Sequence, residues 1–468
     1  MVREALDIRD RLVIPELQMH NVTLLSSGAA AIAALVSPLA LGATTVPPVF
    51  TVSNAVTGVN GPTAMAVAPD GRIFVALKDG RVRVAKSGAL LPTPFIDLRD
   101  EVGASLDRGL IGIALDPNWA DNRTVYLLYT IDPVYGPPEE FGTDWPTIGR
   151  LVRYSGTFES DGNVADLATR EVLLGKDTLD GIPCCFASHS VGALRFGLDG
   201  SLFVGAGEGA NYNIVDTGGD PKCAAMFGAE NDIGAFRAQR LDCLAGKVLR
   251  VDPETGMGLP SNPFFDGDPA SARSRVWAYG VRNPFRMAID PSSKSPGALY
   301  VADVGWSNTE EISRVEGGEN LGWPCKEGKT AQALYGPASP PSDGCSGLPS
   351  PGEPGGPTAP VVEWDHWTAS KSVPPGVIGG CAAGCVYQDD PRVPKQWRGL
   401  YFADYNAGWI RLLRPGADGG LGEVAAFATD VGQPVDLAID PLTGDLLCVA
   451  RLLNRVERIH WKGADIDG

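Results

Sequence analysis

The sequence has few histidines and no excess of basic residues. Only four histidines occur in 468 residues, and 56 acidic residues outnumber 39 basic ones, which gives a formal charge of −17. Because binding to a phosphate backbone needs a clustered basic surface, this balance argues against a nucleic-acid-binding protein. The composition favours a small partner that is neutral or cationic.

Three signatures of bound metals and haem are also missing. No CxxC pair accompanies a nearby histidine, an arrangement that would indicate a structural zinc site, and no CxxCH is present to attach a c-type haem. The loop spacing of an EF-hand is absent as well. What the chain does contain is 44% apolar and 20% charged residues, which is typical of a globular protein with a sizeable core.

An uncharged apolar segment lies near the start, LLSSGAAAIAALVSPLALGA, and it ends in the small-x-small pattern Ala40-Leu41-Gly42. Residues 1–43 are therefore predicted to be a signal peptide or targeting segment, residues 44–463 a secreted or periplasmic domain without a membrane span, and residues 464–468 a short tail. Acidic residues before the apolar segment leave a translation start at Met19 as an alternative. A retained membrane anchor is the rival interpretation.

Nine cysteines fit an oxidising compartment better than the cytosol. Cys448 lies in an apolar run and is predicted to be a buried free thiol. Cys184 and Cys185 are neighbours, with α-carbons about 3.8 Å apart, which is below the ~4.4–6.8 Å usual for a disulfide, so each is expected to pair elsewhere. Spacing suggests three local pairs: Cys325 with Cys345, Cys381 with Cys385, and Cys223 with Cys243.

One pattern recurs from Val49 onward: an alternating apolar segment, an Asp-Pro or Asp-Gly turn, and a second apolar segment, which together are the signature of a β-hairpin. Five copies are clear: TAMAVAPDGRIFVAL, LIGIALDPNWADNRTVYLLYT, GALRFGLDGSLFVGAG, FRMAIDPSSKSPGALYVADV and PVDLAIDPLTGDLLCVA. A degraded sixth copy is GCVYQDDPRVPKQWRGLYFADYNAGWIRLL. Six units predict an all-β protein, a six-bladed β-propeller of four-stranded antiparallel blades with loop insertions. Separate β-domains are the alternative.

His189 and Glu208 are predicted to meet at one end of a blade. His189 stands just before a strand, and Glu208 follows the next strand 19 residues later, which is about the length of a hairpin out and back. A carboxylate beside an imidazole fixes the tautomer and prepares a general base, and the central channel of a propeller is where a ligand is expected. The same spacing between His189 and Glu208 would also be found if the histidine had a purely structural role, and this remains the alternative.

Two other loops carry candidate site residues. Arg282 and Asn283 precede a strand in WAYGVRNPFRMAID, where a guanidinium can polarise a carbonyl and an amide can donate and accept; a tie between two blades is the alternative. Gly305 lies near the pair Glu310-Glu311, and carbonyls beside carboxylates suit calcium. A solvated acidic turn would have the same composition.

Four motifs follow in order: HxxGxLxFGxDGxLFVG, then LAGKVLRVDPETG with LPSNPF, then YGVRNP, then GGENLGWP. This combination resembles the soluble quinoprotein glucose/sorbosone dehydrogenase family, the aldose sugar dehydrogenases that use pyrroloquinoline quinone (PQQ), together with their Hedgehog-interacting-protein-like relatives. The similarity extends from about Val49 to Ile459, and that family has a six-bladed propeller.

The resemblance implies oxidation of the anomeric hydroxyl of an aldose to a lactone, with hydride transfer to PQQ held by calcium; the external electron acceptor is unknown. It also implies roles for individual residues. His189 would take the hydroxyl proton, Glu208 would orient it, and Arg282 would stabilise charge on the quinone oxygens. The residues implied to bind the cofactor are Asn283, Lys371, Gly305 and Trp306, and those implied to bind the metal are Gly305, Trp306 and Tyr279.

Three positions depart from the family pattern. Phe285 follows the RNP motif where active members often have a glutamine. Gln433 and Asp436 stand where family members carry two arginines that hold the cofactor carboxylates. The loss of both arginines implies weaker charge-assisted binding, and Asp436 is expected to repel an anion. The alternatives are therefore a carbohydrate- or protein-binding propeller that has lost PQQ, or a calcium-dependent lactonase.

Overall fold

Six β-sheets are arranged as the blades of a six-bladed β-propeller, as the repeats predicted. The computed structural model describes residues 43–131, 145–338, 344–366, 378–416 and 421–465, and the predicted targeting segment falls almost wholly outside them. Each repeat supplies the two inner strands of one blade. The degraded sixth copy forms the fifth blade in chain order, so its weaker pattern is still a full sheet.

Blades 1 and 2 are antiparallel sheets built by residues 62–184, and one strand precedes them. In blade 1 the strand order is β2-β3-β4-β5, and in blade 2 it is β7-β8-β9-β10. The strands are β1 (Phe50–Thr57), β2 (Pro62–Val67), β3 (Ile73–Leu77), β4 (Arg81–Lys86), β5 (Ala89–Leu90), β6 (Ile96–Asp97), β7 (Leu110–Leu115), β8 (Thr124–Thr130), β9 (Thr147–Gly156), β10 (Ala165–Leu174) and β11 (Ile182–Cys184).

Blades 3 and 4 follow, and blade 4 carries the longest insertion. Their strand orders are β12-β13-β14-β15 and β16-β17-β18-β21-β22, in which the last pairing is parallel, while β19 and β20 form a separate two-stranded sheet within the blade 4 insertion. The strands are β12 (Val191–Phe196), β13 (Leu202–Ala206), β14 (Lys247–Val251), β15 (Val276–Tyr279), β16 (Pro284–Asp290), β17 (Ala298–Asp303), β18 (Thr309–Val315), β19 (Lys326–Glu327), β20 (Thr330–Ala331), β21 (Val362–His366) and β22 (Ile378–Gly379).

Blade 5 has the order β23-β24-β25-β26, and blade 6 is completed by the first strand of the chain, in the order β27-β28-β29-β1. In that closure Val52 pairs with Ile459. The strands are β23 (Ala382–Gln388), β24 (Gly399–Asp404), β25 (Trp409–Pro415), β26 (Leu421–Ala428), β27 (Pro434–Ile439), β28 (Leu446–Ala450) and β29 (Arg455–Trp461).

The first strand of each blade lines the centre of the ring. Strands β2, β7, β12, β16, β23 and β27 each pack against the next, and β27 packs against β2. Each neighbouring pair of blades encloses its own hydrophobic core, so the fold is held by six apolar interfaces. A seventh apolar cluster, around Trp323 and Tyr335, lies under the blade 4 insertion.

Helices are short and confined to loops. The α-helices are α1 (Trp119–Asn122), α2 (Pro221–Phe227) and α3 (Ala272–Arg275). Single 3-10 turns cover Gly234–Gln239, Gly344–Gly347, Lys395–Trp397, Arg451–Leu453 and Lys462–Asp465. Within the described ranges, no helix has the length and apolar character that crossing a bilayer requires.

Two disulfides are present in the described chain, and one predicted pair is confirmed. Cys325 bonds to Cys345 across the blade 4 insertion, and Cys448 is a buried free thiol, as expected. The predicted pair Cys223–Cys243 is wrong, because α2 carries Cys223 to Cys185 instead.

The predicted pair Cys381–Cys385 is also wrong. Both cysteines are free. Cys385 lies within β23 and Cys381 directly precedes that strand, and four residues of extended chain span roughly 13 Å, too far for a bridge. The expectation that Cys184 and Cys185 each pair elsewhere is right for Cys185, which bonds to Cys223, and wrong for Cys184, which is a buried free thiol.

Candidate active site

A cavity of about 280 Å³ lies at one end of the central channel, close to the lower limit of small-ligand pockets. Its floor has one residue from the start of each innermost strand, so the six blades contribute equivalently. These residues are Thr63, Ile111, Val191, Phe285, Ala383 and Val435.

The wall of the cavity comes from two sets of loop positions. Residues just before a blade's first strand form one set, and residues just after its second strand form the other; both lie at the same end because the two strands are antiparallel. The wall includes His189, Ser190, Asn283, Cys381, Lys78, Val304, Tyr405 and Arg451, together with Leu106 and Asp107 from the loop before β7.

His189 and Glu208 are in direct contact at this wall, at the positions the hairpin spacing predicted. The imidazole Nδ1 lies 2.6 Å from Glu208 Oε1, and both side chains are buried. The second carboxylate oxygen of Glu208 accepts a hydrogen bond from the indole of Trp323. With both oxygens engaged, the carboxylate is fixed, and it in turn fixes the imidazole ring.

The backbone of His189 is held in an uncommon conformation. Its φ is +49°, in the left-handed region that non-glycine residues rarely adopt. Its carbonyl accepts the amide of Gly209 at 2.9 Å, and Gly207 packs so closely that a Cβ there would lie 2.1 Å from the same carbonyl oxygen. Strained residues of this kind cluster at functional sites.

The surroundings of His189 favour the neutral imidazole. Burial lowers its pKa below the usual 6.5, and the charge of Arg282 lowers it further, while Glu208 opposes both effects. The ring is therefore uncharged at neutral pH. When Nδ1 carries the proton and donates a hydrogen bond to Glu208, Nε2 has no proton and can accept one. This is the form that a general base requires.

Arg282 lies behind the wall, where it holds the loop after β17. Its guanidinium Nη1 donates to the carbonyls of Val304 at 2.9 Å and Gly305 at 2.6 Å. The guanidinium also lies 5.5 Å from the centroid of a Trp323 ring. Val304 lines the cavity but Arg282 itself does not, so the structure places its charge close to His189 and its hydrogen bonds on the backbone.

Asp303 fixes the segment that presents Asn283 to the cavity. Its carboxylate accepts the backbone amides of Arg282 at 2.9 Å and Asn283 at 2.6 Å. Burial raises the pKa of Asp303 above the ordinary aspartate value, and these backbone donors oppose that rise. The backbone of Asn283 is thus held in place at the wall of the cavity, as its position before β16 predicted.

Gly305 and Trp306 lie on a loop organised by buried carboxylates. Glu327 Oε1 accepts four successive amides, from Trp306 to Thr309. Burial raises the pKa of Glu327, but the backbone donors outweigh it and hold the pKa below its usual value. The indole of Trp306 donates to the carbonyl of Tyr212 at 2.7 Å. This loop therefore joins blade 4 to the segment beside His189.

Tyr279, predicted to bind the metal, is not brought to this site, and Gly305 and Trp306, which follow the lining residue Val304, do not line the cavity either. Tyr279 ends the outer strand β15, its phenol lies 3.5 Å from the carbonyl of Gly355, and it lines a different cavity. Its backbone carbonyl accepts Leu321, so it takes no part in the Gly305 loop. Lys371 lies outside the described residues. In the residues that the structure describes, no group of three His, Cys, Asp or Glu side chains could hold a metal ion.

Asp436 does not repel a ligand in the cavity, contrary to expectation. Its side chain is fully buried beneath the floor, where it accepts the amide of Met65 at 2.9 Å and lies 3.3 Å from Nε of Arg286. Since side chains alternate along β27, Val435 faces the cavity and Asp436 faces away. The negative charge of Asp436 is paired inside the protein.

Three charged residues of the wall were not predicted: Lys78, Asp107 and Arg451. Lys78 and Arg451 directly follow the second strand of their blades, as Val304 and Tyr405 do. Aligning the six repeats at that position is the signal that finds them. Asp107 accepts the hydroxyl of Ser188 next to His189, across a separation of 81 residues, and no local pattern indicates that contact.

The sequence that forms this site matches the profile of a known protein family. The profile of the family described as Glucose / Sorbosone dehydrogenase matches residues 59–344. The chain belongs to this family. The match covers blades 1 to 3 and most of blade 4, including His189, Glu208 and Arg282. The family that the ordered motifs indicated is thereby confirmed.

Individual curated relatives share less than a third of their aligned residues with this chain. The HIPL2 protein of Arabidopsis thaliana is 25% identical over 362 residues, which cover 69% of this chain and 46% of the relative. Aldose sugar dehydrogenase YliI of Escherichia coli K12 is 29% identical over 264 residues, which cover 56% of this chain and 58% of the relative. The chain thus spans about half the length of these curated relatives.

Among solved structures, the PQQ-bound form of aldose sugar dehydrogenase from Streptomyces coelicolor superposes with a TM-score of 0.61 at 20% identity. The superposition covers 89% of this chain and 99% of that chain. At this level of identity the likeness concerns the fold.

Proposed function

We propose that this member of the family is a PQQ-dependent sugar dehydrogenase that oxidises the anomeric hydroxyl of an aldose to a lactone. The observation that carries the proposal is the neutral His189 in the cavity wall, oriented by Glu208 at 2.6 Å. Relatives in the same family include a protein named aldose sugar dehydrogenase, and the PQQ-bound neighbour shares the fold.

The lining of the cavity fits a flat, anionic quinone. Apolar floor residues such as Ile111, Val191 and Val435 suit a ring system, and the amide of Asn283 can donate and accept at its edge. Two cationic side chains in the wall, Lys78 and Arg451, match ligand carboxylates. Bound PQQ would accept the hydride that leaves the anomeric carbon.

The protein's own residues would handle the proton and the developing charge. Nε2 of His189 would take the proton of the anomeric hydroxyl, so that loss of this proton and of the hydride leaves a carbonyl, which is the lactone. Glu208 would stabilise the imidazolium that forms. Arg282 would contribute positive potential from behind Val304 and Gly305. This potential would stabilise the negative charge that develops on a quinone oxygen.

We further propose that calcium binds beside the cofactor, at the loop of Gly305 and Trp306. The metal ligands that this loop can offer are neutral backbone carbonyl oxygens, and calcium binds oxygen ligands of this kind. Gly305 already accepts a hydrogen bond from Arg282, but a carbonyl oxygen has two lone pairs. The two disulfides support an oxidising compartment, secreted or periplasmic, as the place of action.

The test is reconstitution of the purified protein with PQQ and calcium chloride. A quinone absorbance band should develop, and a redox dye should be reduced when a panel of aldoses is added. Replacing His189 by Ala should lower turnover by about 100-fold or more while PQQ stays bound. The matched control is His460→Ala, since His460 lies on the outer region of blade 6 and pairs with Asp445.

Three results would overturn parts of this proposal. If neither the band nor dye reduction develops, the protein is not a PQQ dehydrogenase. If His189→Ala retains its turnover, another group takes the proton. Proton release from gluconolactone without PQQ or dye would identify a lactone hydrolase instead.

A further inference from the structure

Two cationic side chains meet in the cavity wall where blade 6 adjoins blade 1. Lys78 follows β3 of blade 1, and its Nζ donates to the carbonyl of Ala104 at 2.8 Å. Arg451 follows β28 of blade 6, and its Nη1 crosses to blade 1, where it donates to the carbonyl of Pro62 at 3.0 Å. Pro62 opens the strand that pairs with β3. Both cations therefore lie on the same side of the cavity.

The positive charge of this pair is not neutralised by contact with carboxylates. Burial lowers the pKa of Lys78, the charge of Arg451 lowers it further, and Asp107 opposes both effects from a distance. In the described ranges, Lys78 Nζ and Arg451 Nη1 donate to backbone carbonyls, and the Arg451 side chain also forms a hydrogen bond with the phenol of Tyr405. A chain with a net charge of −17 thus keeps two adjacent cations in its central cavity. Two partly buried cations side by side repel each other, and a bound anion would relieve that repulsion.

Arg451 also supplies positive charge to a wall that β27 leaves uncharged. Its backbone amide donates to the carbonyl of Gln433 at 3.1 Å, so the two residues are neighbours across β27 and β28. From β27 itself the cavity receives only the apolar Val435. The guanidinium therefore comes from the second strand of blade 6 rather than from the first.

We infer that Lys78 and Arg451 form a two-cation clamp that binds the carboxylate groups of an anionic ligand in this cavity. The identity of that ligand as PQQ rests on the proposed function. The clamp itself rests on the position of the two side chains in the cavity wall and on their mutual proximity.

The decisive experiment measures binding rather than turnover. Lys78→Gln, Arg451→Gln and the double variant are titrated with PQQ and with its trimethyl ester, whose carboxylates are uncharged, by fluorescence quenching. Hydrogen bonds to charged groups contribute about 1.5–3 kcal/mol, so each substitution should weaken PQQ binding about 10- to 100-fold. Affinity for the ester should change less than about threefold. Arg451→Lys keeps the charge and should retain most of the PQQ affinity.

Matched controls remove the same charges elsewhere on the propeller. Lys86→Gln and Arg99→Gln alter half-exposed residues that pair with Asp161 and Asp97 on the outer surface, and neither should change PQQ affinity. A second readout is alkylation of Cys381. It lines the cavity and is only partly buried, whereas the other four free cysteines are buried. Bound PQQ should protect it in the wild type and not in the double variant.

The outcomes separate this inference from the proposed function. If the double variant binds PQQ as tightly as the wild type does, the clamp is wrong. If the wild type does not bind PQQ, benzene-1,3,5-tricarboxylate serves as the probe. If that anion protects Cys381 in the wild type but not in the double variant, the result would support the clamp and refute PQQ as its ligand. If neither anion protects the wild type, the clamp is wrong as well.

Discussion

Nδ1 of His189 lies 2.6 Å from Oε1 of Glu208, and the indole of Trp323 occupies the other oxygen of the same carboxylate. One buried acid therefore connects the hairpin that begins at His189 to Trp323 in the blade 4 insertion, 115 residues away from Glu208. The contact determines which ring nitrogen is available in the cavity and counteracts part of the effect that burial has on the imidazole pKa.

The pH dependence of sugar oxidation should follow the imidazole. Only the neutral ring can accept a proton, and burial and Arg282 hold the pKa of His189 below 6.5. We expect kcat/KM of the reconstituted enzyme to fall only as the pH drops below 6.5. In Glu208→Gln, the carboxylate that raises this pKa is lost, so the acidic limb should move to lower pH while the maximal rate also falls. A limb that moves to higher pH would contradict this account.

The control for that variant is Glu316→Gln. Glu316 is exposed and pairs with Arg314 at the outer end of β18, so its substitution should leave the pH profile unchanged. Dye reduction measured from pH 4 to pH 8 for both variants makes the comparison.

Gly207 should be essential for placing His189. A Cβ at position 207 would lie 2.1 Å from the carbonyl oxygen of His189, so Gly207→Ala must displace the histidine. A misplacement of about 1 Å can cost about 100-fold in rate, and we expect a loss of that order in steady-state turnover. Gly336→Ala is the control, because its nearest neighbouring atom would be 3.5 Å away. Equal turnover in the two variants would show that the backbone there is not rigid.

Asp436 should contribute to stability and not to ligand binding. Burial lowers the pKa of Arg286 to about 10 and Asp436 raises it, so Asp436→Asn leaves a buried guanidinium without its counter-charge. Breaking such a pair costs about 3–5 kcal/mol. Urea denaturation should show this loss, whereas PQQ affinity should stay within about threefold. Asp97→Asn, at an exposed pair with Arg99, should leave the midpoint nearly unchanged. A large gain in PQQ affinity in Asp436→Asn would restore the repulsion hypothesis.

The disulfide from Cys185 to Cys223 should be found by peptide mapping of the non-reduced protein. It closes a separation of 38 residues, and removing a native disulfide typically costs about 2–5 kcal/mol. Cys223→Ser should therefore lower the free energy of unfolding clearly, and Cys243→Ala, at a free thiol, should lower it less. A cross-linked peptide that joins Cys223 to Cys243 would contradict the structure.

The fold could be predicted from the sequence because each blade is a local hairpin with a repeated signature. Even the weak copy around Cys385 formed a full blade, since alternation and a turn are enough to define two paired strands. The contact of His189 with Glu208 was predictable for the same reason, because a single hairpin separates them. Asn283 also lines the cavity as its place before a strand suggested.

The remaining features depend on contacts that no local pattern encodes. The disulfide partner of Cys223 is set by where α2 packs, and the orientation of Asp436 is set by the register of β27. Tyr279 was assigned by resemblance, but it ends an outer strand and faces another cavity. Lys78 and Arg451 were missed although they follow the second strand of their blades, as Glu208 does, because neither lies in one of the four motifs that indicated the family.

The pairing of β1 with β29 has a consequence for how the protein is made. The two strands that complete blade 6 lie about 400 residues apart, and Thr44 still contacts Glu457 across a separation of 413 residues. During synthesis β1 keeps an unpaired edge until the roughly 400 residues that separate it from β29 have left the ribosome. Closure of the ring is then an encounter between two distant segments, with a high loop-closure entropy. Until the ring closes, the unpaired edge of β1 can pair with strands of other nascent chains. The cell must therefore protect this edge from aggregation during synthesis.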